Sequence, residues 1–154
     1  MKLFRFSSEK YSKSLDGEGA KMYGGRWNSK GVPVIYTSNC LSTAMLEKLI
    51  HIEADICPPM KLITYELPDN VSVKRYNIKD LKKIWNVSPH DEYTQLIGDR
   101  FVNENKYLIL DVPSAIAPLD RNIILNPNHR EIKEISIFKI EDFTFDPRFF
   151  KPLY

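Results

Sequence analysis

The sequence predicts an α+β fold: a single compact domain with a mixed, mostly antiparallel sheet and scattered helices. Three observations lead there. Stretches with strand patterning outnumber those with helical patterning across the 154 residues. The helical stretches fall irregularly among the strands, without the alternation that a doubly wound α/β fold needs. No repeat, low-complexity tract or linker divides the chain, so residues 1–154 read as one domain.

Residues 2–7 alternate Leu3, Arg5 and Ser7 with Phe4 and Phe6, the period of a half-buried strand. Residues 14–31 hold five of the six glycines and read as a loop with special backbone needs. A strand follows at 32–37. Ser38 or Asn39 can then cap a helix from Leu41, with Leu41, Ala44, Met45, Leu49 and Ile52 on its apolar stripe. Cys57-Pro58-Pro59 breaks the chain. Residues 61–67 read as a strand and 71–76 as a further candidate. Leu81 to Trp85 reads as a short helix. Ser88, Pro89 and Asp91 form a helix start for a segment running to about Asn105. The apolar run 107–112 predicts a buried strand, ended by Pro113-Ser114. Short strands are expected at 122–125 and 135–140, and the aromatic tail from Asp142 is expected to dock.

Composition narrows the function. With 43% hydrophobic residues the chain can bury a real core, and a net charge of +2 is too small for the basic footprint of a nucleic-acid binder. No apolar leader or membrane-length run is present, so no membrane partner and a cytoplasmic location are expected. Cys40 and Cys57 have no partners at zinc spacing, and His51, His90 and His129 have no ligand spacing, so no metal site is expected. Gly17-Glu18-Gly19 follows no good strand and is expected to open no helix, which argues against a dinucleotide fingerprint. No nucleophile elbow surrounds Ser114.

The segment Gly24–Leu49 is the richest in chemistry. Arg26, preceded by Gly24-Gly25, is either a fork for phosphate oxygens or a surface Arg in a turn. Tyr36 at a strand end is either a stacking ring or a half-buried strand residue. Glu47 borders the apolar stripe of its helix, on the face of Thr43 and His51. It is either a partly buried carboxylate with a partner or an ordinary surface Glu. Ser114 ends a buried strand without an evident base. It suits a hydroxyl that orients a ligand better than a nucleophile, and its simpler role is an ST-turn. Asn126 and His129 sit in a turn that could line a cleft.

Together these residues resemble the RES domain, the toxin of a bacterial toxin–antitoxin pair. The matching pieces are Arg5 in the first strand, GEGAKMYGGRWN at Gly17–Asn28, VIYTS at Val34–Ser38 and the helical Ala44–Glu47. Gly98-Asp99, VPSA at Val112–Ala115 and NPNH at Asn126–His129 complete them. The resemblance runs from about residue 3 to residue 140. It implies a fold similar to ADP-ribosyltransferase toxins and an enzyme that consumes NAD⁺ as substrate, with no cofactor. It also implies a helix-turn-helix antitoxin as partner. The family's Arg, Glu and Ser map onto Arg26, Glu47 and Ser114. Glu47, Arg26 and Tyr36 are then the catalytic set, and Ser114, Asn126, Arg5 and Gly25 the substrate-binding set. The resemblance leaves the acceptor open among water, phosphate and a protein. A non-catalytic antitoxin-binding module is the alternative from another class. An RNA-cleaving toxin is disfavoured by the small net charge.

Overall fold

The computed structural model describes residues 1–52 and 59–150. The strands are β1 (Lys2–Ser7), β2 (Ile35–Ser38), β3 (Met60–Glu66), β4 (Val73–Arg75), β5 (Ile109–Pro113), β6 (Arg121–Leu125) and β7 (Ser136–Phe143). The helices are α1 (Glu18–Tyr23), α2 (Leu41–Leu49) and α3 (Glu92–Glu104). The seven strands form a sheet in the order β4-β5-β6-β2-β1-β3-β7. Among the described residues only β4 and β5 run parallel, so the expected mixed, mostly antiparallel α+β architecture is found.

The sheet has a narrow waist. β1 pairs with β3 along its full length but meets β2 at the single register pair Phe4–Ser38. Two wings, β4-β5-β6-β2 and β1-β3-β7, therefore meet at a seam. One core spans the seam, joining Leu3, Ile63 and Tyr65 to Ile35, Ile109 and Leu125. A second core sits under α3, where Phe101 and Val102 pack with Trp27, Val34, Leu110 and Ile124. A third lies under α2, where Ala44 packs with Phe6, Met60 and Phe145. The aromatic tail docks here: Phe143 meets Phe6 edge-on, with ring centroids 4.7 Å apart.

Several boundaries differ from expectation, each for a local reason. The glycine-rich stretch contains α1, because Gly17 (φ 70°) and Gly24 (φ 71°) take positive-φ conformations at its two ends. They punctuate a helix rather than dissolve it. The expected helix at 81–85 is absent. A 3-10 turn at Ile78–Asp80 replaces it, closed by reciprocal hydrogen bonds between Asn77 and Asp80, and Leu81 is already extended. α3 begins later than Ser88 suggested, because the Asp91 carboxylate accepts the Tyr93 N–H and becomes the cap. α2 is capped from Cys40 without a side-chain bond, while the Ser38 hydroxyl accepts the Cys40 N–H. β2 starts at Ile35, after Pro33, and its Tyr36 lies inside the strand opposite Ile124. Cys57, Pro58 and residues 151–154 lie outside the described residues. Among the described residues no helix is long and apolar enough to cross a membrane.

Candidate active site

The site is assembled on one face of the four-stranded wing. Its first component is the turn Gly25–Asn28, closed by a backbone bridge between those two residues. One turn of α3 grips it. Gln95 Nε2 donates to the carbonyls of Gly25 (3.1 Å) and Asn28 (3.2 Å), and the Asp99 carboxylate accepts the Ser29 N–H at 2.9 Å. Between them Gly98 lies so close to the Trp27 carbonyl that an added Cβ would sit 1.6 Å from its oxygen. Below the turn, Asn28 is fully buried and donates to the carbonyls of Ala20 and Val32.

Tyr36 holds the same turn from β2. Its hydroxyl donates to Asn28 Oδ1 (2.7 Å) and accepts the Trp27 N–H (3.0 Å). A Cβ on Gly25 would stand 2.7 Å from this hydroxyl, which gives that glycine a steric reason. Burial pushes the Tyr36 phenol up and the Glu47 carboxylate adds to the shift, so the ring remains a neutral donor. The sequence leaves Tyr36 as either a stacking ring or a half-buried strand residue with its hydroxyl satisfied. In the structure the hydroxyl is committed to shaping the turn that carries Arg26.

Arg26 is half-buried. Its Nη1 donates to the carbonyls of Trp85 (2.9 Å) and Val87 (3.0 Å). These acceptors are neutral, so they orient the guanidinium without cancelling its charge. Burial lowers its pKa, and the fields of Glu47 and Tyr36 oppose that shift. An arginine stays protonated through such a change. Nε and Nη2 have no protein acceptor among the described residues, so part of the fork remains for an anion.

Glu47 projects from α2 toward the end of the β5–β6 hairpin. Its Oε1 accepts from Ser114 Oγ at 2.8 Å and from Asn122 Nδ2 at 2.6 Å. Ser114 is fully buried, and its oxygen also accepts the N–H groups of Ile116 and Ala117. The structure thus joins Glu47 to Ser114 directly and sets Arg26 and Tyr36 within its electrostatic field. Asn122 was read from the sequence only as the start of a strand. Its signal was a lone amide in a run that is otherwise apolar. Gln95 was also missed, although it stands one helical turn before Asp99.

The remaining candidates lie elsewhere. Arg5 Nη1 is 3.4 Å from the Tyr65 hydroxyl, and its charge is felt by Lys48 of α2. Asn126 is fully buried in the junction between β6 and α3. Its Nδ2 donates to Asn105 and its Oδ1 accepts the Asn128 N–H, so the side chain is engaged internally. His129 caps the 3-10 turn Arg130–Glu134 by accepting the Glu131 N–H. A cavity of about 150 Å³ between β4 and α3, lined by Lys74, Tyr76, Arg100 and Tyr107, shares no residue with the Glu47 cluster. Among the described residues no group of three His, Cys, Asp or Glu side chains is gathered to hold a metal.

Comparison with known proteins places the chain in a family. The RES domain matches residues 2–146. The chain is 39% identical to Toxin Res of Pseudomonas putida over 139 residues, covering 88% of this chain and 92% of that protein. It is 36% identical to Toxin Res of Photorhabdus laumondii over 154 residues, covering 98% of each. It is 32% identical over 137 residues to the Prs ADP-ribosylating toxin of a Sphingobium species, covering 87% of this chain and 85% of that one. In fold it is similar to the M. tuberculosis MbcT–MbcA toxin–antitoxin complex, with a TM-score of 0.76 at 18% identity over 97% of this chain and 86% of the other. A family match over residues 2–146, with relatives 36% and 39% identical over most of their own length, shows that this chain belongs to the RES domain family.

Proposed function

We propose that this chain is a toxin that consumes NAD⁺ by cleaving the bond between nicotinamide and ribose. The observation that carries the reading is Glu47: a half-buried carboxylate held by two neutral donors, with an oriented arginine in its field. Cleavage of this bond sends its electron pair to the pyridinium nitrogen, and nicotinamide leaves as a neutral molecule. The ribose carbon becomes cationic, as in glycoside hydrolysis. A leaving group that departs neutral needs no general acid. What lowers the barrier is a fixed negative charge beside the ribose, and Glu47 supplies it. Arg26 takes an anionic part of the substrate on its free fork edge. Water or phosphate then adds to the ribose carbon and loses a proton. The reading calls for no metal or cofactor.

A second reading has a specific observation behind it. The Sphingobium relative is named as an ADP-ribosylating toxin. In that case a side chain of a target protein replaces water as the acceptor. A helix-turn-helix antitoxin that covers the Glu47 and Arg26 side chains completes the proposal; its support is that the structural neighbour is a toxin–antitoxin complex.

The test uses the purified chain and NAD⁺ labelled in the adenylate, with and without a cell lysate. Release of nicotinamide, with label in ADP-ribose or its 1″-phosphate, is the expected result. Label recovered on one protein band would establish transfer instead. Undiminished NAD⁺ in both samples would overturn the proposal.

A further inference from the structure

We infer that Asn122 is a positioning residue for Glu47, fixing the carboxylate so that one oxygen faces the substrate; this rests on the NAD⁺-cleaving reading above. Asn122 opens β6, with Ser38 of β2 and Val112 of β5 as its register partners. Strand alternation sends Asn122 toward α2 and its neighbour Arg121 to the other side of the sheet. There the Asn122 amide donates to Glu47 Oε1 at 2.6 Å. Ser114 donates to the same oxygen at 2.8 Å. The Ser114 hydroxyl has a single proton, and its oxygen already accepts two backbone N–H groups, so that proton is directed at Glu47.

Two donors from different elements therefore converge on Oε1 and lock a side chain that is otherwise free to rotate. No donor among the described residues reaches Oε2. That oxygen is left for a ligand, and a ribose hydroxyl is the donor that the proposed substrate offers. The residue type matters as much as the geometry. An amide orients a carboxylate without neutralising it, whereas an arginine here would cancel the charge that the reaction uses. Among the described residues, Arg26 from the loop, Tyr36 from β2 and His51 beyond the end of its own helix feel the charge of Glu47.

Steady-state release of nicotinamide by the full chain, Asn122→Ala and the nearly isosteric Asn122→Asp tests the role. A positioning residue lowers kcat, by about ten- to a hundredfold for Asn122→Ala, and leaves KM for NAD⁺ nearly unchanged. Asn122→Asp falls further, because it sets a second carboxylate against Glu47. A raised KM with kcat intact would make Asn122 a direct substrate contact and overturn the inference. Circular dichroism checks that each variant folds, and Asn122→Asp carries the test if Asn122→Ala does not. A second readout is independent of turnover. The Asn122 side-chain amide signals, assigned by their loss in a variant, must shift in Glu47→Gln. Unmoved signals would refute the pairing. If the wild-type chain releases no nicotinamide, the NAD⁺ reading falls while these signals still decide whether Asn122 holds Glu47.

Discussion

Two carboxylates flank the β5–β6 hairpin, and they are treated in opposite ways. Asp111 is almost fully buried and meets two guanidinium groups, Arg75 and Arg121, each at 2.6 Å. Arg121 also donates to the carbonyls of Tyr76 and Asp111, so this cluster ties β4 to the hairpin. Glu47, across the sheet, receives among the described residues only the hydroxyl of Ser114 and the amide of Asn122. Neighbouring residues on β6, Arg121 and Asn122, serve the two sites. The difference teaches how charge is allotted. A carboxylate closed by cations has its field cancelled and acts as a fastener. A carboxylate held by neutral donors keeps its field and can act on a ligand.

The strongest way to break this comparison is Glu47→Gln. It keeps the shape and removes the charge. NAD⁺ consumption should fall by on the order of a hundredfold or more, with little change in the melting temperature. Near-normal NAD⁺ loss would remove Glu47 from the mechanism. Asp111→Asn should show the reverse pattern. It leaves Arg121 under-neutralised at a half-covered position, and Arg75, which is mostly exposed, adds little. A loss of about 2–3 kcal/mol in urea unfolding is expected, with activity per folded molecule retained. Equal loss of activity and stability would erase the distinction between the two sites.

Tyr36→Phe sharpens the comparison at the cation that faces Glu47. It leaves the buried Asn28 oxygen and the Trp27 N–H without their partner, at about 1–2 kcal/mol. Turnover should fall as the turn bearing Arg26 loosens. Unchanged stability and turnover would mean that the hydroxyl shapes nothing.

The smallest effect concerns Glu131, a carboxylate held by neutral donors but remote from Glu47. The Ser72 hydroxyl and N–H both donate to it and hold its carboxyl below the usual carboxylate range. A depressed folded pKa means that this stability is present above the normal range of glutamate and is lost as the pH falls through the folded value. Glu131→Gln should cost about 1 kcal/mol near neutral pH, less in acid, and leave NAD⁺ turnover intact. Urea titrations at several pH values measure it. A loss of turnover would show that neutral donors alone do not mark the catalytic group.

Much of this was legible in the chain. Alternation at residues 2–7 and the apolar run before Pro113 located β1 and β5, since each pattern is local. Local context made Arg26, Tyr36, Glu47 and Ser114 candidates beside simpler readings, and the resemblance to the RES domain selected them as a set. What was not legible depends on contacts between distant residues. Asn122 meets Glu47 across 75 positions, and Gln95 reaches Gly25 across 70. Periodicity carries no record of such pairings. The Ser88 cap failed for a related reason: two acceptors compete within one short segment, and only the folded backbone decides that Asp91 wins.

The contact at Gly98 has a mechanical meaning. Gln95, Gly98 and Asp99 occupy about one turn of α3 and engage the chain from Gly25 to Ser29 with no clearance to spare. A ligand that pulls on Arg26 therefore pulls on a helix of 13 residues, itself seated on the second core. The turn behaves as the tip of a rigid lever, not as a free loop. Any force that a ligand on Arg26 exerts there is passed to α3 and the core beneath it.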